Sequence, residues 1–302
     1  MNITQIKYVL EAARASSMRE ASTRLYVSQP ALSSSIRDLE NELGILIFER
    51  TNKGILLTEE GREFIMYAKK VVGQYEILED RYMSVDSDKE RFAVSTQHYN
   101  FSIHAFAETV RKASADKYVF SIYETKTKIV LEDVKSLKSE VGIVSFSNSN
   151  EAVIKKLIRE YQLTFVPLMT REAYIYVWKE HELADRSEVS MEDLKEYPCI
   201  TFDQSDDSNV YLTEEAMADH TFDKMIKSDD RASSIELIAT LGGYSIGSGM
   251  LSEENALLQG LVSIKLKEKD TIVIGYVVRD ESNLSVYGRL YIEELLKYRE
   301  IM

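Results

Sequence analysis

Apolar positions fall into distinct textures along the chain. Residues 2–15 place Ile3, Ile6, Val9, Leu10 and Ala13 at helical spacing, and residues 29–43 do the same with Leu32, Ile36, Leu39 and Leu43. Each run predicts an amphipathic helix with one face on a small core. Between them Ala21 and Leu25 form a short apolar stripe, which predicts a brief helix and a tight turn. In residues 58–85, Phe64, Ala68, Val71, Tyr75, Leu78, Tyr82 and Val85 alternate steps of four and three, the seam of a coiled coil on one long helix. Past the polar run at 84–90 the texture changes. RFAVS, KYVFSIYE and VGIVSF are each followed by a helical period, near 99–112, 127–137 and 151–161, which predicts an open parallel sheet with helices on both faces. From Leu163 a second block follows: FVPLM, AYIYVW, PCITF, a helix after Ser208, a strand near 221–227, a helix over 233–241, and YSIG. Strands at 261–266 and 271–278 and a last helix from Leu284 return the chain.

The helix at 29–43 carries the sharpest polar signal. Ser28 is a good N-cap, and Pro30 in the first turn forfeits only an amide hydrogen that lacks a helical partner anyway. With its leucines and Ile36 turned inward, Gln29, Pro30, Ser33, Ser34 and Arg37 face outward. A helix N-terminus with small polar side chains suits phosphates and base edges, so this face is a candidate DNA contact. The following ERTNKGILLT reads as a hairpin turning at Asn52, Lys53 and Gly54, with Arg50 and Lys53 aimed at phosphates or the minor groove. A long helix that pairs with its twin would set two such readers in two-fold relation, implying dyad-symmetric double-stranded DNA.

The run EASTRLYVSQPALSSSIRDLENELGILIFERTNKGILLTEEG resembles the N-terminal winged helix-turn-helix of the LysR-type transcriptional regulators, whose pattern is close to A-xx-L-x-x-SQPALS-xx-I-xx-LE-xx-LG-xx-LF-x-R followed by LT-x-x-G. Ser34 stands where many members carry a basic residue, so the resemblance does not transfer an operator sequence. The resemblance implies an α/β chain with an N-terminal all-α winged helix-turn-helix at 1–58, a long linker (dimerisation) helix at 59–88, and a two-lobed periplasmic-binding-protein-like effector domain at 89–302. Lobe I is expected at about 89–162 and 267–302, and lobe II at about 163–266. It also implies a homodimer or homotetramer; a contact with RNA polymerase is left open. His181, Glu182, Leu183 and Ala184 echo the family's frequent HPLA, with Glu in place of Pro.

Composition adjusts this reading in one respect. The chain of 302 residues carries a net charge of −13, which argues against a nucleic-acid partner until it is divided: residues 1–70 hold 10 Lys/Arg against 9 Asp/Glu, and the remainder 27 against 41. The acid lies in the C-terminal part. Even so, a net +1 is weak for a DNA-binding unit, so affinity has to come from a few placed cations and from doubled sites. No apolar run approaches a membrane span, no signal peptide is evident, and a cytoplasmic protein is expected. Cys199 is the only cysteine and reads as a small buried residue; it excludes an internal disulfide.

Small molecules bind open α/β sheets beyond the C-terminal strand ends, and two-lobed domains between the lobes. Those positions are Ser95, Thr96, Gln97 and His98 after the first strand, Thr127 at the next helix, Ser145 and Phe146 on the third strand, Thr201 and Phe202 after PCITF, and Gly247 in YSIG. Ser95, Thr96, Gln97 and His98 put donors at a helix start, suited to an anion, and are similar to the Thr/Ser-rich effector loop of the family's sulfur-metabolism members. Thr127 matches a position where many members place a ligand-contacting Thr. The expected ligand is a small anionic metabolite related to amino acids or sulfur metabolism; no cofactor or metal is expected. The rivals are an enzyme and an effector-independent DNA-binding regulator. Against the enzyme, the sequence holds no nucleophile elbow, HExxH, phosphate loop or CxxC, and His98, His104, His181 and His220 are not spaced as metal ligands.

Overall fold

The computed structural model describes residues 1–299 apart from 16, 52–53, 83–88, 205–211, 213, 215, 218–219 and 252–259, with backbone alone at 50, 51 and 80–82. The chain divides into two units, Met1–Ser87 and Asp88–Met302.

In the first unit α1 (Ile3–Arg14) starts at a capping box: Asn2 accepts from the Gln5 amide and Gln5 reaches back to Asn2. Helices α2 (Met18–Arg24) and α3 (Gln29–Leu43) follow, then the hairpin β1 (Phe48–Thr51) and β2 (Gly54–Leu57), paired antiparallel, then α4 (Glu59–Tyr82). Leu32, Ile36 and Leu39 are buried with Ile6, Val9, Leu10, Ala21, Ile47 and Phe48 in one apolar cluster. Gly44 ends α3 at φ 70°, and Glu40 Oε1 then accepts from the Ile47 and Phe48 amides at 2.8 and 3.1 Å, which fixes where the hairpin leaves the helix. Thr58 Oγ1 accepts from the Gly61 amide at 2.8 Å, and a Cβ at Gly61 would lie 2.1 Å from the Ile47 carbonyl oxygen. The Thr-x-x-Gly spacing is therefore a packing requirement of hairpin against helix.

Helix α4 corrects the expected seam. Ala68 is buried with Ile65 and Val72 on the side that packs in the unit's own cluster, and Tyr75 is half-buried with the Lys7 ammonium 4.9 Å from its ring centroid. The exposed stripe instead runs through Tyr67, Val71 and Leu78, with Phe64 at its edge. The helix has to satisfy two apolar faces, and a one-dimensional count of steps cannot separate them. Tyr82 is described in backbone only, and Val85 lies outside the described residues.

The second unit holds two sheets. The first has the order β4-β3-β5-β13-β6, from β3 (Glu90–Thr96), β4 (Tyr118–Glu124), β5 (Val141–Ser147), β6 (Thr164–Glu172) and β13 (Thr271–Val278). Strands β3, β4 and β5 are parallel, as the alternation with α5 (Asn100–Lys112), α6 (Thr127–Lys135) and α7 (Glu151–Glu160) requires, and β13 returns antiparallel to both β5 and β6. The second has the order β10-β9-β11-β7-β12-β8, from β7 (Tyr174–Trp178), β8 (Glu188–Val189), β9 (Cys199–Phe202), β10 (Met225–Ser228), β11 (Tyr244–Gly247) and β12 (Leu261–Leu266), with α8 (Arg231–Leu241) between β10 and β11. Helix α9 (Val286–Leu296) closes the chain against α5, where Tyr291 is fully buried and shares a 2.8 Å hydrogen bond with Ser102. The expected helix after Ser208 lies largely outside the described residues.

Strand β6 moves the expected lobe boundary. It belongs to the first sheet, so the chain crosses at Ala173, not near residue 163, and recrosses between Leu266 and Thr271. No turn residue marks the crossing, because β6 runs into β7 with Ala173 alone between them. Opposite Ile274 and Gly275 the pairing skips Leu168, so β6 carries one extra residue against β13; a Cβ at Gly275 would lie 2.3 Å from the Val166 carbonyl oxygen. Among the described residues no helix is long and apolar enough to cross a membrane.

Candidate functional site

Two surfaces collect the residues singled out above. On the first unit, Ser28, Gln29, Pro30, Ser34 and Arg37 are exposed along one side of α3. Ser28 Oγ accepts from the Ala31 amide at 3.3 Å and Ser28 O from Leu32 N at 3.0 Å, and Pro30 has no amide hydrogen, so the first turn keeps only the Gln29 N–H to offer outward. The helix start is thus a weaker anion site than a bare N-terminus. Ser33 departs from expectation: it is buried, and its hydroxyl accepts from Gln29 Nε2 at 3.2 Å. It faces inward because it follows Leu32 on the buried edge of the helix, and its use is to hold the Gln29 amide one turn back. The Arg50 side chain and Lys53 lie outside the described residues.

One residue of this surface escaped the sequence reading. Tyr26, in the turn between α2 and α3, has φ 56° and is 96% exposed. A bulky residue in the left-handed region is uncommon, and the turn between two helices is the place that imposes it.

On the second unit, a cavity of about 950 Å³ lies between the two sheets' lobes. The start of α5 lines one side (His98, Tyr99, Asn100, His104), and the face of the second sheet lines the other (Tyr174, Tyr176, Phe202, Gly247), with Arg231 and Glu214 at the edges. Of the ten expected positions, His98, Phe202 and Gly247 border it. The His98 and Phe202 rings stack with centroids 3.6 Å apart and planes 4° from parallel.

Behind His98 lies a buried polar network made of four more. Gln97 Nε2 donates to Thr127 Oγ1 at 2.6 Å, and its Oε1 accepts from Ser145 N at 2.6 Å and Ser145 Oγ at 2.9 Å. Tyr99 donates to Ser145 Oγ at 2.9 Å, and Thr96 Oγ1 donates to the Gln97 carbonyl at 2.7 Å. The remaining three point elsewhere. Ser95 bonds Asp133 and Ser139 on the opposite side of β3, at 2.7 and 2.8 Å. Phe146 is buried in the apolar cluster with Val130, Leu131 and Ile154. Thr201 alternates with Ile200 and Phe202, which border the cavity, so its side chain takes the other face of β9.

Charges cross this cleft. The Arg231 guanidinium bonds Asn100 and Glu124, and its Nε is buried without a hydrogen-bond partner. His98 Nδ1 meets Glu214 Oε1 at 2.5 Å, and both side chains are 7% exposed. Burial works against a charge on His98, but the Glu214 carboxylate beside it and its hydrogen bond outweigh this, helped by Glu124 and opposed by Arg231, and hold the imidazole above its ordinary value. His181, in the HELA segment, does structural work: Nδ1 accepts from the Leu183 amide at 3.1 Å and Nε2 faces the Gly242 carbonyl at 3.1 Å. Among the described residues no cluster of His, Cys, Asp or Glu could hold a metal ion.

A helix-turn-helix followed by a hairpin makes up the first unit, and two sheets with a cavity between them make up the second. The chain belongs to the LysR family: residues 3–62 match the bacterial regulatory helix-turn-helix protein model of that family, and residues 121–299 match its LysR substrate binding domain. It is 27% identical to the HTH-type transcriptional regulator CysB of Burkholderia cenocepacia over 68% of this chain and 64% of that protein. It is 25% identical to a hydrogen peroxide-inducible genes activator of Haemophilus influenzae over 86% of this chain and 83% of that one. The crystal structure of CbnR, a LysR family transcriptional regulator, superposes with a TM-score of 0.64 at 16% identity, covering 99% of this chain and all of that one.

Proposed function

We propose that the chain is a transcriptional regulator that binds dyad-symmetric promoter DNA through α3 and the hairpin and responds to a small anionic metabolite in the cavity of its second unit. What carries this reading is the exposed edge of α3: a capped helix that keeps Gln29, Pro30, Ser34 and Arg37 in solvent beside a hairpin. From the buried side of the helix, the Ser33 hydroxyl accepts from Gln29 Nε2 and holds that amide at the exposed helix start. Gln29 reads base edges, Ser33 orients it, Ser28 and Ser34 approach the backbone, and Arg37, Arg50 and Lys53 contact phosphates. Exposed Val71 and Leu78 on α4 are the surface by which two chains pair, which doubles a weak electrostatic footprint.

For the effector, His98, Phe202 and Gly247 line the pocket, Arg231 offers positive charge, and Gln97, Thr127 and Ser145 fix the loop that presents His98. An amino-acid-like or sulfur-metabolism-related carboxylate fits a cavity lined by the guanidinium groups of Arg171 and Arg231 and by several aromatic side chains. Binding of one ligand state would shift lobe closure by its differential affinity alone. The test is fluorescence anisotropy of purified protein with DNA from upstream of its own and neighbouring genes at low salt. Saturable binding to a dyad-symmetric site is expected, and affinity no better than for scrambled DNA refutes the reading.

A further inference from the structure

The cavity contains a carboxylate that belongs to the protein. Glu214 comes from the stretch after β9, in the second lobe, yet its side chain lies against the loop between β3 and α5 of the first. Glu214 Oε2 accepts from the His98 backbone amide at 3.2 Å, and Oε1 meets His98 Nδ1 at 2.5 Å. The surroundings hold the imidazole in place for this: its ring is stacked on Phe202, and the Glu214 carbonyl is met by Ser145 Oγ at 3.5 Å. Two residues earlier Leu212 is buried in the apolar cluster of Val130, Leu131, Val144 and Phe146, so the same stretch is anchored on the first lobe twice.

A carboxylate taken out of water costs several kcal/mol unless donors replace its hydration. Here a main-chain N–H and an imidazole do so, in a position that borders the open volume of the cavity. Those donors are what a free carboxylate would use. We propose that Glu214 is an internal ligand: it fills a carboxylate subsite formed by the His98 amide and imidazole over Phe202, and the carboxylate of an effector enters by displacing it. This rests on the reading of the cavity as the effector pocket. Occupancy of the subsite by Glu214 lowers apparent effector affinity by the fraction of molecules in which the subsite is vacant, and a displaced Glu214 releases one tie between the lobes.

The atoms removed by Glu214→Ala are a CH2 and a carboxylate, the skeleton of acetate, so acetate is the probe. Thermal melting of the full chain is followed in sodium acetate and in matched sodium chloride. Acetate is expected to raise the melting temperature of Glu214→Ala above its value in chloride, to leave the wild type unchanged, and to lose its effect when His98→Ala is added. No acetate response in Glu214→Ala, or an equal response in the wild type, overturns the proposal. If Glu214→Ala does not fold, it is refolded from urea in either salt: recovery in acetate alone supports the subsite, and failure in both overturns it. The sensor reading is measured apart from this, by calorimetric titration of acidic metabolites. Metabolites that bind about tenfold tighter to Glu214→Ala support displacement of a residue that occupies the subsite nine-tenths of the time. Equal affinity for both proteins keeps the sensor and overturns the internal ligand. Acetate rescue with no metabolite binding to either protein keeps the subsite and sinks the sensor.

Discussion

Gln97 is fully buried and ties the start of α6 to β5: it donates to Thr127 and accepts from both the amide and the hydroxyl of Ser145. Gln97→Leu keeps nearly the same volume and removes all three hydrogen bonds, so the cost is polar and not a cavity. Ser145 Oγ has a second acceptor within reach, the Glu214 carbonyl at 3.5 Å, which leaves the Ser145 N–H and the Thr127 hydroxyl stranded. Each buried group left without a partner costs about 1–3 kcal/mol, so the sum is about 2–6 kcal/mol, and rotation of the Thr127 hydroxyl favours the lower half. Trp178 is the only tryptophan and lies on β7, so fluorescence excited at 295 nm in urea reports the second unit alone. The midpoint should fall with an unchanged slope, and the melting temperature by about 2–4 °C for each kcal/mol lost. DNA affinity of the folded protein should hold, because α3 stands on a separate core. A loss below about 0.5 kcal/mol, the scale of a neutral surface change, would show that water replaces Gln97 at no cost and that the network does not position the loop.

Three further outcomes follow from the geometry. Gln29→Ala should cost about 1–3 kcal/mol on the specific site and little on random DNA, whereas Arg37→Ala should weaken both alike and lower the salt slope by about 1 in anisotropy titrations; the reverse pattern would exchange their roles. Val71→Glu places a charge on a residue that is 50% exposed on α4, so sedimentation should show loss of chain pairing with unit 1 still folded, and an unchanged mass would move the interface elsewhere. The raised His98 value, set by burial and the Arg231 charge on one side and the stronger pull of Glu214 and Glu124 on the other, means the pair's stabilisation is complete below the ordinary 6.5 and is lost as pH rises through the folded value. Melting temperatures should therefore drop more from pH 6 to 8 in the wild type than in Glu214→Gln, and parallel curves would remove His98 from the account.

The helix-turn-helix was legible because its signals are local. Ser28 as cap, Pro30 in the first turn, Gly44 as stop and leucines at helical spacing each act within a few residues, and all agree on one helix. The same holds for the order of strands and helices in the second unit, since period and length report themselves. What escaped depended on partners distant in sequence. Ala68 and Val71 both read as seam residues until α1 covers one of them. The chain crosses at Ala173 with no turn residue because a strand can leave one sheet and join the next without bending sharply.

The effector residues show the same limit more finely. A run of Ser95, Thr96, Gln97 and His98 after a strand offers four polar side chains at one strand end, and composition cannot rank them. Alternation along β3 sends Ser95 to Asp133 and Ser139 on the α6 side, while the turn into α5 sends Gln97 inward to the start of α6 and to β5 and leaves His98 at the cavity. A buried hydroxyl or amide needs a partner whether or not a ligand ever comes, so hydrogen-bonding capacity at a strand end is as much a demand of the fold as an invitation to a metabolite. The residue that separates the two uses is Glu214, which no local pattern connects to His98, because it follows 116 positions later in the chain. A pocket whose donors are met by a charge from the other lobe is one where ligand recognition and lobe contact compete for the same atoms, and that competition is what lets a small molecule change how the lobes are held.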